Sequence, residues 1–202
     1  MSPAAATTES SDVRENILAT GQRIMGAKGF SAVGLNEILV AAGVPKGSFY
    51  HYFGSKEAFG QAILEGYFED YLTDMDRMLI QAGGTGAERL VSYFQAWEAN
   101  QSFEDCQGKC LAVKLGAEVA DLSEAMRAAM KRGTAGVVTY MARAIEAGVA
   151  DGSLTVEQPP VEVAQSLYQL WLGASIMVKV VRNTEPFRYA MTTTRQVLHL
   201  PS

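Results

Sequence analysis

Leu35 to Lys56 reads LNEILVAAGVPKGSFYHYFGSK, and this stretch decides the fold. Leu35, Ile38, Leu39 and Ala42 recur at helical spacing and give one apolar stripe on a short helix. Gly43 breaks that helix, because a residue without Cβ accepts the left-handed backbone that a tight turn between helices demands. Pro45, with no amide hydrogen, fits the start of a second helix from Lys46 to about Phe53. That helix turns Phe49 and Phe53 to one side. Lys46, Gly47, Ser48, Tyr50 and His51 take the other, with Tyr52 near the boundary. A small, hydrogen-bonding and aromatic surface suits a groove and can reach phosphates and base edges. The pattern therefore predicts a helix-turn-helix whose second helix enters the major groove of DNA. An ordinary helix hairpin with a wet aromatic surface is the other reading of the same residues.

The overall charge does not oppose the first reading. The 202 residues carry 17 Lys or Arg against 22 Asp or Glu. Residues 1–60 hold five of each sign, so the net charge of −5 falls on the remaining chain. Between Gly43 and Lys56 there are two Lys and no acid, which leaves a locally positive footprint. The start, MSPAAATTESS, lacks a basic region and an apolar core, and no long uncharged apolar run follows. A soluble, cytoplasmic protein is expected, with no membrane partner. Cys106 and Cys110 are too few for a disulfide scaffold, and a reducing cytosol would keep them as thiols. His51 and His199 lie far from both, so neither a metal site nor a cofactor is expected.

Taken in order, the chain reads as all-α. Residues 1–11 are small and polar and are expected to form a disordered tail. A helix from Asp12 to Lys28, burying Val13, Ile17, Leu18, Ile24 and Met25, completes a three-helix DNA-binding domain over residues 12–60. Residues 61–202 are expected to form a helical sensing and dimerisation domain. Phe59, Ile63, Tyr67, Tyr71 and Met78 mark a long connector helix from Lys56 to about Gln81. The GGTG break at 83–86 is a turn, since it lacks the Gly-Lys-Ser/Thr ending of a phosphate loop. Helices follow at about Glu88–Phe103, Gly108–Val119 and, from the capping pattern Asp121-Leu122-Ser123-Glu124, to about Ala147. Gly133 and Gly136 within the last of these permit a kink or the close approach of another helix. Pro159 and Pro160 then open a helix that is apolar almost all round, which implies burial on more than one side. Leu167, Leu170, Trp171, Ala174 and Val178 are the expected dimer interface, with a final helix at about Pro186–Leu198. The alternative is a helix central to the core of a monomer.

The run AGVPKGSFYHYFGSKEAF resembles the DNA-binding signature of TetR-type repressors. That resemblance spans the chain and matches best from about Asp12 to Gly60. It implies a homodimer on a palindromic operator, with the helix beginning at Lys46 as the recognition helix. Carried over, it places Lys46, Gly47, Ser48 and His51 near base edges and Tyr50, Tyr52 and Lys56 on phosphates. In that family the two C-terminal helices pack against their copies as a four-helix interface. Many members have Ser or Thr where Val33 and Gly34 stand here, so a side-chain phosphate contact is missing at that point.

Cys110 is the residue expected to carry a signal. With Gly108 starting its helix, it would sit in the first turn, where amide dipoles favour a thiolate. Lys109 is adjacent and Lys114 is one turn on. A small apolar core residue is the competing reading. GKCLAVKLGAEVADLSEAMR, with LWLGASIMVKV, resembles the family's electrophile-sensing branch, the repressors that release genes for N-ethylmaleimide, quinone, aldehyde and reactive-chlorine detoxification. The resemblance implies a sensor at Cys110 and a lysine partner for its oxidised sulfur at Lys179. Lys179 is also readable as a lysine that reaches solvent. Cys106 has no clear counterpart, though four residues from Cys110 it could pair with it. A related branch responds to acrylate-type molecules, and a repressor released by a non-covalent apolar ligand is the alternative function. An enzyme is not expected, since a cysteine hydrolase needs a positioned base and neither His is near the motif.

Overall fold

The computed structural model describes residues 3–101 and 110–200, with side chains from residue 12 onward. Cys106, Gly108 and Lys109 lie outside them. Every regular element among the described residues is helical: α1 Pro3–Lys28, α2 Leu35–Ala42, α3 Lys46–Tyr52, α4 Lys56–Met75, a π-helical turn Asp76–Gln81, α5 Gly86–Asn100, α6 Leu111–Leu122, α7 Glu124–Ala150, α8 Pro160–Val181 and α9 Glu185–Val197. The first helix begins at Pro3, ahead of the expected start at Asp12. Proline is well placed in a first turn and the alanines after it are strong helix formers, which favours the earlier start.

The chain divides into two compact units, Met1–Tyr67 with Cys110–Lys131, and Phe68–Lys109 with Arg132–Ser202. The expected division after Gly60 is therefore not the compact one. The helix-turn-helix shares its unit with α6 and the start of α7.

In the first unit α1 packs on α2 and on α6. The approach of α1 to α4 is close: a Cβ on Gly21 would stand 2.3 Å from Cζ of Phe59. Phe59 in turn meets Phe49 at 5.2 Å and Phe53 at 4.8 Å between ring centroids. Ile17, Met25, Ile38 and Phe49 are fully enclosed around this cluster.

The second unit is organised around stacked aromatics. Trp171 of α8 lies between Phe94 of α5 at 4.6 Å and Phe187 of α9 at 5.6 Å. Its indole N–H donates to Thr194 Oγ1 at 2.9 Å. Trp97 does the same to Ser175 Oγ at 3.0 Å, so both buried indoles are satisfied. Gly133 and Gly136 do admit a second helix: Cβ atoms there would lie 2.1 Å from the Phe68 ring and 2.7 Å from Leu72 Cδ1 of α4.

Two capping expectations change. The helix expected near Glu88 begins at Gly86 behind a Thr85–Glu88 capping box, because Thr85 can satisfy the Glu88 amide and be satisfied in return. The chain between α6 and α7 breaks at Ser123, whose Oγ accepts from the Met126 amide at 3.4 Å, so the cap is Ser123 and not Asp121.

The tightest backbone approach in the second unit supplies a test. A Cβ on Gly86 would stand 2.3 Å from the amide nitrogen and 2.4 Å from the Cα of Gly148. Neither backbone can yield as a side chain would. Gly86→Ala should lower stability by about 1 to 3 kcal/mol, read as a lower midpoint in chemical denaturation, whereas Gly47→Ala, which meets open space, should leave the midpoint nearly unchanged.

Candidate nucleic-acid interface and sensor site

Gly43 adopts φ 68°, ψ 28° and sends its amide, together with that of Val44, back to the last carbonyls of α2. This closes α2 and aims α3. Gly34 caps α2 without a side-chain hydrogen bond. On α3, Phe49 is fully buried and Phe53 nearly so, which fixes the rotation of the helix and turns Lys46, Gly47, Tyr50 and His51 to solvent. Ser48 and Tyr52 are half-buried at the edge of the same surface. The Lys46 ammonium lies 6.0 Å from the Tyr50 ring centroid, and His51 meets Tyr52 edge-on at 4.8 Å. The structure thus gathers six of the seven expected DNA-contacting residues on one short helix.

Lys56 is placed differently. Its Nζ donates to the Phe30 carbonyl at 2.8 Å and lies 4.5 Å from the centroid of the Phe30 ring. The break after α1 leaves that carbonyl outside the helical ladder, and the ammonium is drawn to it and to the ring face. The lysine expected on a phosphate is held inward, bracing the link between α1 and α2.

Cys110 is a half-buried free thiol. Its backbone is extended at φ −114°, ψ 100°, so it is the N-cap of α6 and not part of the first turn. The stripe Leu111, Leu115 and Val119 is buried, and the helix starts where that stripe starts. Cys110 makes no side-chain capping bond. The Tyr67 hydroxyl of α4 reaches its sulfur at 3.7 Å, which places the thiol against the connector helix. Lys114 is half-buried one turn on, its amide donating to the Cys110 carbonyl at 3.0 Å. Lys179 sits in the last turn of α8, in the second unit.

Two functional neighbours escaped the sequence reading. In the sequence Tyr67 shows itself only as part of an apolar stripe. Glu118 stands three residues after Leu115 and seven after Leu111, on the stripe that α6 buries, and an acid there signals a partner. Its Oε2 accepts the Phe30 amide at 2.9 Å and its Oε1 the Ser31 amide at 2.7 Å. Burial works against its ionisation. The Ser31 side chain, the Ser31 and Phe30 amides and the Lys56 charge outweigh that and hold the carboxyl below its ordinary value.

The residues expected at the dimer interface divide between the inside and the outside of the chain. Leu167, Trp171 and Val178 are enclosed within their own chain, so they cannot form an interface. Trp171 carries the hydrogen bond to Thr194 and the two stacked rings, which bind that face of α8 to α5 and α9. The outward groove is lined by Leu170, Gly173, Ala174 and Met177 of α8 with Tyr189 and Thr193 of α9. Ile176, Met177 and Val180 are 50%, 46% and 67% exposed, a contiguous apolar strip of the kind that marks association.

Residues 17–63 match the family model for bacterial regulatory proteins of the tetR family, and residues 86–194 that for the tetracyclin repressor-like C-terminal domain. The transcriptional repressor NemR of Escherichia coli K12 is 41% identical over 95% of this chain and 96% of its own. The chain belongs to the TetR family. A crystal structure of the reduced form of E. coli NemR superposes with a TM-score of 0.89 at 42% identity, covering 95% of this chain and 99% of that one. The repressor DhaR of Mycobacterium sp. GP1 is 32% identical over 94% of this chain and 93% of its own. The protein is a helix-turn-helix transcriptional repressor of this family, whose members bind DNA operators and act as dimers. Its relatives are regulators of transcription, and no helix among the described residues is long and apolar enough to cross a membrane.

The depressed Glu118 carboxyl gives a pH test. Its native pKa lies below the unfolded one, so its stabilisation is complete above the unfolded value of about 4.3 and fades as pH falls through the lower native value. Glu118→Gln should be less stable than the wild type at pH 7, and the gap should close as urea midpoints are followed into that acidic window. A gap independent of pH would show that the ionised carboxylate contributes nothing.

Proposed function

We propose that this repressor grips a palindromic operator as a homodimer and lets go when Cys110 is modified by an electrophile or oxidant. The observation that carries the reading is the position of Cys110: an accessible thiol at the head of α6, touching the connector through Tyr67, on the helix that also holds the link into the helix-turn-helix through Glu118. Kinship with NemR at 41% identity supports it. In the intact dimer, Lys46, Gly47, Ser48 and His51 meet base edges and Tyr50 and Tyr52 meet phosphates. Two recognition helices must then reach half-sites about 34 Å apart, so a small displacement within each subunit loses both together.

Chemistry at the sulfur is simple. With N-ethylmaleimide, the thiolate forms an S–C bond to one alkene carbon, the π pair passes to the other, and that carbon takes a proton from water. Nothing leaves. The added bulk lies beside Tyr67 at the start of α6. To move an operator from mostly bound to mostly free, modification must disfavour the DNA-binding state by about 3 to 5 kcal/mol. A covalent bond sustains that bias at reagent concentrations where a weak reversible ligand would be largely unbound. The natural location is the cytoplasm, with the operator DNA.

Two outcomes test this. Cys110→Ser should stay on its operator in the presence of N-ethylmaleimide or hypochlorite, whereas Cys106→Ser should still be released. Release of Cys110→Ser as readily as the wild type would transfer the signal to a non-covalent ligand. For assembly, Met177→Glu puts a charge on the outward strip without disturbing the core of the chain. Burying an unpaired charge costs several kcal/mol, on the order of what holds many dimers together. Sedimentation should therefore show a folded monomer with weak operator binding, and an intact dimer would place the interface elsewhere.

A further inference from the structure

Gly29 ends α1 at φ 98°, and the chain leaves the helix with the amides of Phe30 and Ser31 outside its ladder. Both find the same acceptor. Glu118 takes one on each carboxylate oxygen, at 2.9 and 2.7 Å. The Phe30 carbonyl is taken from the other side by Lys56 of α4 at 2.8 Å. Gly29 also makes room for the clamp, since a Cβ there would lie 3.2 Å from Glu118 Oε2. The Phe30 ring is buried against Gly60. One peptide segment, from which α2 and then α3 hang, is therefore held by polar bonds to two helices.

Glu118 lies on α6 and Cys110 is the N-cap of that helix, its carbonyl accepting the Lys114 amide at 3.0 Å. Eight residues separate them, about 12 Å at 1.5 Å per residue. Leu111, Leu115 and Val119 seat that helix in the core of the first unit. A helix packed in this way moves as a body. Bonds of 2.7 to 2.9 Å weaken steeply once displaced by about 1 Å. The clamp thus carries movement of α6 to the α1–α2 link by polar bonds, beside the direct packing of α1 on α6.

Resting on the thiol reading above, the geometry points to Glu118 as the positioning residue that holds the α1–α2 link in register for operator binding, and to its release from the Phe30 and Ser31 amides as the step by which modification of Cys110 is felt at the DNA. No bond is made or broken at Glu118 other than these two hydrogen bonds.

The test uses the full-length dimer and N-ethylmaleimide, with amide exchange followed by NMR, operator affinity by fluorescence anisotropy, and adduct formation by intact mass. In the wild type, alkylation should speed exchange at Phe30 and Ser31 at least about tenfold while Ile24 and Met25 inside α1 stay protected. Glu118→Ala should show that fast exchange before any reagent and bind operator at least about a hundredfold more weakly. Alkylating its Cys110 should then cost little more. Glu118→Gln keeps one acceptor and the side-chain volume, and should fall between the two. If Glu118→Ala does not fold, the exchange arm in the wild type and the Glu118→Gln affinity still decide. Alkylated wild type that leaves DNA with Phe30 and Ser31 as protected as before overturns the clamp and leaves the thiol reading standing. Alkylated wild type that stays on DNA overturns the thiol reading. The reduced-state affinity of the Glu118→Ala variant then judges the positioning role alone, a loss of about a hundredfold or more supporting it and wild-type affinity overturning it.

Discussion

Two backbone amides, those of Phe30 and Ser31, set the terms for the first unit. A helix that ends on a left-handed glycine releases its following amides from the ladder, and for buried Phe30 an amide without an acceptor costs about as much as a lost hydrogen bond, whereas exposed Ser31 could turn to water. Here the acceptor comes from 88 residues further along the chain. That long-range bond joins α6 to the helix-turn-helix within one compact unit, a link that a division drawn from local pattern after Gly60 does not contain. Lys56 completes the arrangement from α4, trading a possible phosphate contact for an internal one. Helix α3 itself contributes little beyond Phe49 and Phe53 to the core, so its aim depends on how firmly the preceding link is held.

The second unit solves a different problem. Helix α8 is apolar on nearly every face, and the residues that settle its orientation are those whose contacts are specific as well as apolar. Trp171 is sandwiched by Phe94 and Phe187 and hydrogen-bonded to Thr194. With that face committed inside the chain, the strip through Ile176, Met177 and Val180 is left outward. An interior stabilised by stacked rings and satisfied indoles is also a stiff one.

Much of this was legible in the residues. The Gly43–Pro45 turn and the proline start of α8 announce themselves because each uses a backbone property that only those residue types supply, and the Phe49/Phe53 anchor because two large rings one turn apart mark a buried face. The small residues Gly133 and Gly136 likewise admit either a kink or another helix, and it is α4 that approaches. What was not legible depended on choices that period alone cannot make. A stripe of period 3.6 says that α8 is buried, but not which of two apolar faces meets its own chain and which meets another. The start expected at Gly108 lies outside the described residues, and the extended backbone of Cys110 puts the first turn of α6 at Leu111. Glu118 could have been found: an acid on the stripe of Leu111, Leu115 and Val119 needs a partner, and the sequence offers loose amides just after Gly29.

The central claim is that operator binding is governed by the state of one sulfur atom. Partial titration of the dimer with N-ethylmaleimide, with each sample split between intact mass analysis and operator affinity, tests it most directly. Occupied operator should fall in step with the fraction of chains modified at Cys110, independent of adducts elsewhere. Full operator binding by protein quantitatively modified at Cys110 would contradict the account.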